Sequence, residues 1–228
     1  MNKELIEKLT MDIESSLNDA NENKSNMDPG ILGLRGMSGL KTRHFLNNVV
    51  QRVGGRYLEV GVWAGSTFCA ALNGSKTNQY CVACDNWSEF GGPKNEFLMN
   101  VTKHIDLENL KVTFLEKDCF QVTKKDLRID EFGKFPIYLY DGPHARIEHL
   151  QALTKYIDFV EDTFVYLCDD WNWVNVAEAG TRDAYKELNL TVHKEWVMKT
   201  PNDIDCDYPG WWNGYYAAIV SKPRNLDE

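Results

Sequence analysis

GRYLEVGVWAGSTF, residues 55–68, decides how the rest of the chain is read. Tyr57, Leu58 and Val60 are strand-forming side chains, Gly61 and Gly65 let the backbone turn close to a ligand, and Ser66 opens a helix through Thr67, Phe68, Cys69, Ala70 and Ala71. Strand, glycine turn and helix in that order read as the first unit of a nucleotide-binding parallel sheet. The spacing E-x-G-x-x-x-G departs from the dinucleotide fingerprint, because Trp63 and Ser66 stand where that motif has its second and third glycines. A glycine turn that holds no ligand is the plain structural alternative.

Working outward, strand-like and helix-like stretches alternate from Tyr57 onward. Strands are expected over 57–60, 80–84, 111–115, 136–140 and 163–168, with helices near 66–73, 93–105, 123–130, 145–160 and 176–188. In the fourth helix Ile147, Leu150, Leu153 and Ile157 form one apolar face. Two further runs, 191–198 and 214–221, are joined by a loop holding Pro201, Pro209 and Gly210 with no helix, so they pair antiparallel. The expected fold class is α/β, a Rossmann-like, doubly wound sheet of seven strands, mostly parallel with an antiparallel C-terminal hairpin. Upstream, Leu5, Leu9, Ile13 and Leu17, with Ile6 beside them, predict an amphipathic helix over 1–17 that docks on the domain or on another subunit. Residues 18–30 are polar and turn-rich, a linker or mobile flap. The division is therefore a helix and linker at 1–30 and the sheet-forming domain at 31–228.

The 228 residues, 43% hydrophobic, suffice for one substantial core. A net charge of −9 and a pI near 5.1 argue against a broad phosphate-binding face, so nucleic acid is not an expected partner. The sequence has no apolar run of membrane-spanning length and MNKELIEKL is charged where a signal peptide is apolar. The expectation is a soluble, cytoplasmic protein. Six cysteines, Cys69, Cys81, Cys84, Cys119, Cys168 and Cys206, suit reduced thiols packed in apolar segments. Cys81 and Cys84 are three apart in a strand and point to opposite faces, which argues against a zinc pair.

In an open parallel sheet, ligands bind beyond the carboxyl ends of the strands. After the second strand comes Asp85, followed by Asn86 and Trp87, placed to accept from both hydroxyls of a ribose. After the third comes Asp118, with Cys119, either a contact to the ligand or a cap of the next turn. The fourth strand ends in Asp141-Gly142-Pro143-His144 and the fifth in Asp169-Asp170-Trp171. Three unpaired carboxylates at adjacent strand mouths repel one another, and a hard divalent cation such as Mg²⁺ offsets that charge. Each acid alone also reads as a helix cap. Trp171, Trp173, Trp211 and Trp212 form an apolar wall or pack as ordinary loop aromatics, and the loop at 33–43, with Arg35 and Lys41, is placed to act as a lid.

Residues 55–68 resemble motif I of the class I S-adenosylmethionine-dependent methyltransferases, and seven strands ending in a hairpin resemble that family's sheet, over about residues 35–221. The Asp after strand four and the acidic pair after strand five are similar to the metal set of the Mg²⁺-dependent O-methyltransferases, of the catechol type and the macrocin and mycinamicin sugar type. The resemblance implies that Glu59 holds the amino-acid end of S-adenosyl-L-methionine and that Gly61, Trp63, Gly65 and Ser66 form the cofactor turn. It further implies that Asp85, Asn86 and Trp87 take the ribose, that Asp118, Cys119 and Phe120 lie beside the adenine, and that Asp141 serves cofactor and metal alike. It makes Asp141, Asp169 and Asp170 ligands of Mg²⁺ or another divalent cation, and His144 the general base, a role suited to an imidazole that titrates near neutrality. Pro143 stands where other members carry an acid, which removes one candidate base. For His144 the alternative is a cap of the helix that follows.

The implied activity is O-methylation of a small-molecule hydroxyl acceptor, with no membrane partner and with homo-oligomerisation open. Three rival readings stand beside it: a metal-independent methyltransferase, a nicotinamide-dependent oxidoreductase, which the glycine spacing disfavours, and a non-catalytic binding protein on the same scaffold.

Overall fold

Side chains of a strand alternate between its two faces, and that period of two sorts the whole core. In the computed structural model, which describes residues 3–223, Tyr57, Cys81, Ile137, Val165 and Ala217 face one layer of helices, and Leu58, Val82, Tyr138, Tyr166 and Tyr216 face the other. The first two residues of the predicted 1–17 helix and the last five of the 31–228 domain lie outside the described residues. The elements in chain order are α1 (Lys3–Asn21), α2 (Leu40–Val53), β1 (Gly55–Val60), α3 (Ser66–Leu72), β2 (Asn78–Asp85), α4 (Lys94–His104), β3 (Lys111–Glu116), α5 (Ile129–Phe132), β4 (Phe135–Tyr140), α6 (Arg146–Thr154), β5 (Val160–Asp169), α7 (Ala179–Glu187), β6 (Thr191–Met198) and β7 (Tyr215–Ser221).

The strands form one sheet in the order β3-β2-β1-β4-β5-β7-β6. The first five run parallel, and β7 enters antiparallel between β5 and β6, as the absence of a helix between the last two strands predicted. Strand order reverses between β1 and β4, so a crevice opens beyond their carboxyl ends. Helices α1 to α4 cover one face through Leu9, Ile13, Phe45, Phe68 and Phe97, while α5 to α7 cover the other through Ile129, Leu153 and Ala184. Leu9 and Ile13 therefore dock in cis. Among the described residues no helix is long and apolar enough to cross a membrane.

Several local expectations are corrected. The segment 123–130 is mostly turns, because the Asp126 carboxylate accepts from the Thr123 backbone N–H (2.8 Å) and hydroxyl (2.7 Å), closing the chain on itself before α5. Helix α6 stops at Thr154, β5 begins three residues early at Val160, and Ile147 is exposed rather than part of a buried face. The start of the predicted fifth helix is a π-turn, Val174–Glu178. Residues 18–30 are not a loose linker: α1 continues to Asn21, Met27 is buried, and the amides of Asn47, Asn48 and Asn73 hold backbone groups of Asn26, Lys24 and Asp28. Five cysteines are buried free thiols, with Cys81 and Cys84 in opposite layers as expected, but Cys206 is exposed.

Arg43 has no counterpart among the sequence expectations. It is fully buried in α2, and its Nη1 donates to the carbonyls of Ile31, Leu32 and Leu34 (3.1, 3.0 and 2.9 Å) while its Nε donates to Ser38 Oγ (3.0 Å). One guanidinium thus satisfies a loop that has no ladder of its own. Replacing it with Met strands those acceptors, so Arg43→Met is expected to cost about 2–4 kcal/mol, read as a lower urea midpoint at unchanged slope.

Candidate functional site

Where β1 and β4 part, the backbones still touch. Asp141, just after β4, donates to the Val60 carbonyl of β1, while Gly61 on the other side donates to the Cys84 carbonyl of β2, each at 2.8 Å. Gly61 holds φ +86°, and a Cβ there would lie 1.6 Å from the Asp141 carbonyl oxygen. The turn read from the sequence is therefore a close approach that only glycine permits. Beyond it lies a cavity of about 250 Å³ at the carboxyl ends of β1, β2, β4 and β5.

Of the residues expected to hold a cofactor, Gly61, Trp63, Asp85, Asn86, Asp118, Cys119 and Asp141 line this cavity, whereas Glu59, Gly65, Ser66 and Trp87 stand behind the wall. Asp85 is fixed by two backbone donors, Trp63 N–H (2.8 Å) and Trp87 N–H (2.7 Å), which tie the first turn to the second. Each oxygen keeps a lone pair for a ligand hydroxyl. Asp118 both reaches the cavity and caps the short 3₁₀ turn Cys119–Gln121, accepting from Phe120 N–H at 2.9 Å. The Trp87 indole donates to the Trp63 carbonyl (2.8 Å) and so supports the turn from beneath. Gly65 adopts φ +86° against the Phe97 ring, and Ser66 sits 3.3 Å from Ser38 Oγ.

Glu59 is sealed under the turn, accepting from Tyr57 Oη (2.6 Å) and Thr67 Oγ1 (2.5 Å). Burial pushes its carboxyl from the ordinary 4.5 up to about 8, against the pull of those two hydrogen bonds. Between these values the folded state keeps a proton that the unfolded chain has released, so this group makes stability fall as pH rises from about 4.5 to about 8. Glu59→Gln cannot ionise. Its stability relative to the parent should increase between pH 5 and pH 8 in urea unfolding, and parallel pH profiles would contradict the assignment.

The second half of the site gathers at β4 and β5. Asp141, His144, Asp169 and Asp170 all line the cavity. His144 Nε2 lies 2.9 Å from Asp170 Oδ2 and 3.8 Å from Asp141 Oδ1. One ligand atom each from Asp141, His144 and Asp170 fall within 4.8 Å of one another. Asp169 is 4% exposed, and its Oδ1 has no hydrogen-bond partner. Burial and the neighbouring carboxylates raise Asp141 and Asp169 above the ordinary carboxylate range. Burial opposes charge on His144, but Asp141 and Asp170 outweigh it and push the imidazole up to about 10. An orphaned buried carboxylate oxygen beside a clustered Asp–His–Asp set fits a divalent cation.

Sequence reasoning missed Asn213, whose Nδ2 donates to Asp170 Oδ1 (2.8 Å) while its Oδ1 accepts from Cys206 N–H (2.9 Å). Its neighbours in the β6–β7 loop drew attention only as tryptophans. Of those four, Trp173 and Trp212 line the cavity. Trp171 is instead core, stacked on Tyr216 at 3.8 Å, and Trp211 packs edge-on to Phe45, so the four do not form one wall. The loop at 33–43 reaches the cavity through Met37, while Arg35 lies over the Trp63 ring (4.5 Å) and pairs with Glu96. Lys41 turns away to Asn21. At the start of α2, Leu40 N–H and Lys41 N–H donate to the carbonyls of Tyr208 and Gly210 (2.8 and 3.1 Å), joining this loop to the β6–β7 loop as one roof.

No protein-family model matches this chain, and no curated protein matches it. Solved structures do. An O-methyltransferase from Bacillus cereus, in complex with S-adenosylhomocysteine, is similar over 93% of this chain and 100% of its own, with TM-score 0.60 and 14% identity. An S-adenosylhomocysteine-bound methyltransferase from Podospora anserina is similar over 98% of this chain and 97% of its own, with TM-score 0.52 and 12% identity. At such identities the likeness is one of architecture: this chain has the seven-stranded Rossmann-like fold of the class I methyltransferases.

Proposed function

We propose that this protein transfers a methyl group from S-adenosylmethionine to a hydroxyl of a small molecule, aided by a divalent cation held by Asp141, Asp169 and Asp170. The observation that carries the reading is the charge of the cavity wall. Asp85, Glu89, Asp118, Asp141, Asp169 and Asp170 line it against two basic groups, Lys117, which is paired with Asp126 at 2.7 Å, and His144, held by Asp170. Such a wall attracts a sulfonium and a divalent cation and repels the pyrophosphate of a dinucleotide. The S-adenosylhomocysteine bound by the similar structures supports the same cofactor.

In this reading Gly61 would give the cofactor room at the turn, Asp85 would hold its ribose, and Asp118 and Cys119 would flank its adenine. The acceptor enters under Met37, Trp173 and Trp212, whose apolar surfaces suit a ring or sugar face. S-adenosylmethionine, when bound, would supply an activated methyl group to the acceptor oxygen and leave as the neutral thioether, while the hydroxyl proton would pass to a base or to water. A cation, when bound, supplies charge stabilisation for the developing oxyanion and holds it in line. Asp141 and Asp170 hold His144 protonated near neutrality, so either task open to it, accepting that proton or joining the carboxylates on the cation, would require a cation to take up their charge first.

Calorimetry with S-adenosylhomocysteine and with NADH, followed by turnover on catechol and sugar acceptors with and without EDTA, tests the reading. Binding of S-adenosylhomocysteine, with turnover abolished by EDTA, is the expected result. Binding of NADH in its place would overturn it.

A further inference from the structure

We infer that His144 is a ligand of the cation rather than a bystander to it, and that the ion belongs to the first-row transition metals and not to Mg²⁺. The inference rests on the metal-assisted reading above and deepens it. Ion-to-ligand bonds of about 2.1 Å place neighbouring ligand atoms about 3.0 Å apart and opposite ones about 4.2 Å apart. The imidazole Nε2 lies 2.9 Å from Asp170 Oδ2 and 3.8 Å from Asp141 Oδ1, spacings that one shared ion accommodates with little movement. All three ligand atoms fit within 4.8 Å of one another.

The surroundings fix these atoms in place. Asn213 occupies Asp170 Oδ1, which leaves Oδ2 as the oxygen that faces the imidazole. Asp170 adopts φ +57°, the turn out of β5 that lets its carboxylate and that of Asp169 both reach the cavity. The His144 ring packs edge-on to Trp173, with 5.5 Å between centroids. A separate observation marks the same wall: Asp169, 4% exposed and lining the cavity beside this set, has an Oδ1 with no hydrogen-bond partner, a buried charge that a nearby cation would offset. The donor set is then one imidazole nitrogen with two carboxylates, with Asp169 beside them. Mg²⁺ takes oxygen ligands, whereas an imidazole in the set favours Mn²⁺, Fe²⁺, Co²⁺ or Zn²⁺.

Pulsed electron paramagnetic resonance on the full chain loaded with Mn²⁺ alone tests this, without reference to turnover. The expected spectrum shows ¹⁴N coupling from a directly bound imidazole, and His144→Gln still binds Mn²⁺ but loses the coupling. Competition titrations should show Mn²⁺ preferred over Mg²⁺, with that ratio falling at least tenfold in His144→Gln. Bound Mn²⁺ without ¹⁴N coupling in the parent protein, or an unchanged metal ratio in the variant, would overturn the assignment and leave an all-oxygen site. Failure of Mn²⁺ to bind would remove both the assignment and the metal-assisted reading. A coupled Mn²⁺ spectrum with no methyl transfer to any acceptor would leave the ligand assignment standing and sink the proposed activity alone.

Discussion

Gly61→Ala is expected to unfold the nucleotide turn and abolish S-adenosylhomocysteine binding. The new Cβ would meet the Asp141 carbonyl oxygen at 1.6 Å and its carbon at 2.4 Å, atoms of the backbone that cannot swing away. Relief requires β1 and β4 to separate where Asp141 N–H donates to the Val60 carbonyl. The φ of +86° adds its own strain for any residue with a Cβ. Together these place the cost at roughly 4 kcal/mol or more, among the largest that single substitutions produce. Two controls set the scale. At Gly65 the nearest atom is Phe97 Cδ2 at 2.8 Å, the edge of a ring that can shift, and Gly33 has nothing within 4 Å. Urea unfolding should rank Gly61→Ala far below Gly65→Ala, and Gly33→Ala beside the parent. Comparable losses at positions 61 and 33 would show that the close approach is not what the turn depends on.

Asp170→Asn is expected to lower cation affinity and kcat/KM by more than a hundredfold while leaving the fold intact. The amide keeps the shape of the carboxylate but loses the charge that faces His144 and the cavity. Groups that merely orient metal ligands are worth roughly 10–100-fold, so a ligand should exceed that, and Asn213→Ala should fall within it. Cation titration and steady-state rates at saturating cofactor measure both. Excess cation should partly restore Asn213→Ala. An Asp170→Asn protein with parental cation affinity would remove Asp170 from the site.

The parts of the fold that could be read in the sequence are those where local pattern and tertiary demand agree. Tyr57, Leu58 and Val60 bounded by glycines make β1 plain, and the proline-rich join between β6 and β7 makes their antiparallel pairing plain. The 123–130 segment misled because helix-compatible residues surround Asp126, whose side chain takes the backbone first. In the site, carboxylates at strand ends stood out jointly: each alone reads as a cap, as Asp118 proves to be, but several at adjacent strand mouths point to a shared ligand. Arg43 did not, since an arginine within an amphipathic helix looks solvated until the loop carbonyls it serves are seen. Glu59 carried a signal that was open to reading: Tyr57, two residues earlier, shares its face and caps it. Trp171 and Trp173 show the opposite limit. Two positions apart in a turn, one is core and the other cavity wall, and composition alone does not separate them.

The amides of Leu40 and Lys41 are first-turn donors of α2, which an isolated helix leaves to water; here they close on the carbonyls of Tyr208 and Gly210 in the β6–β7 loop. Deuterium can enter them only when that seam parts. Their exchange rates should therefore act as a clock for ligand exchange, slowing together when S-adenosylhomocysteine binds while the amides of β3, at the far edge of the sheet, keep their pace.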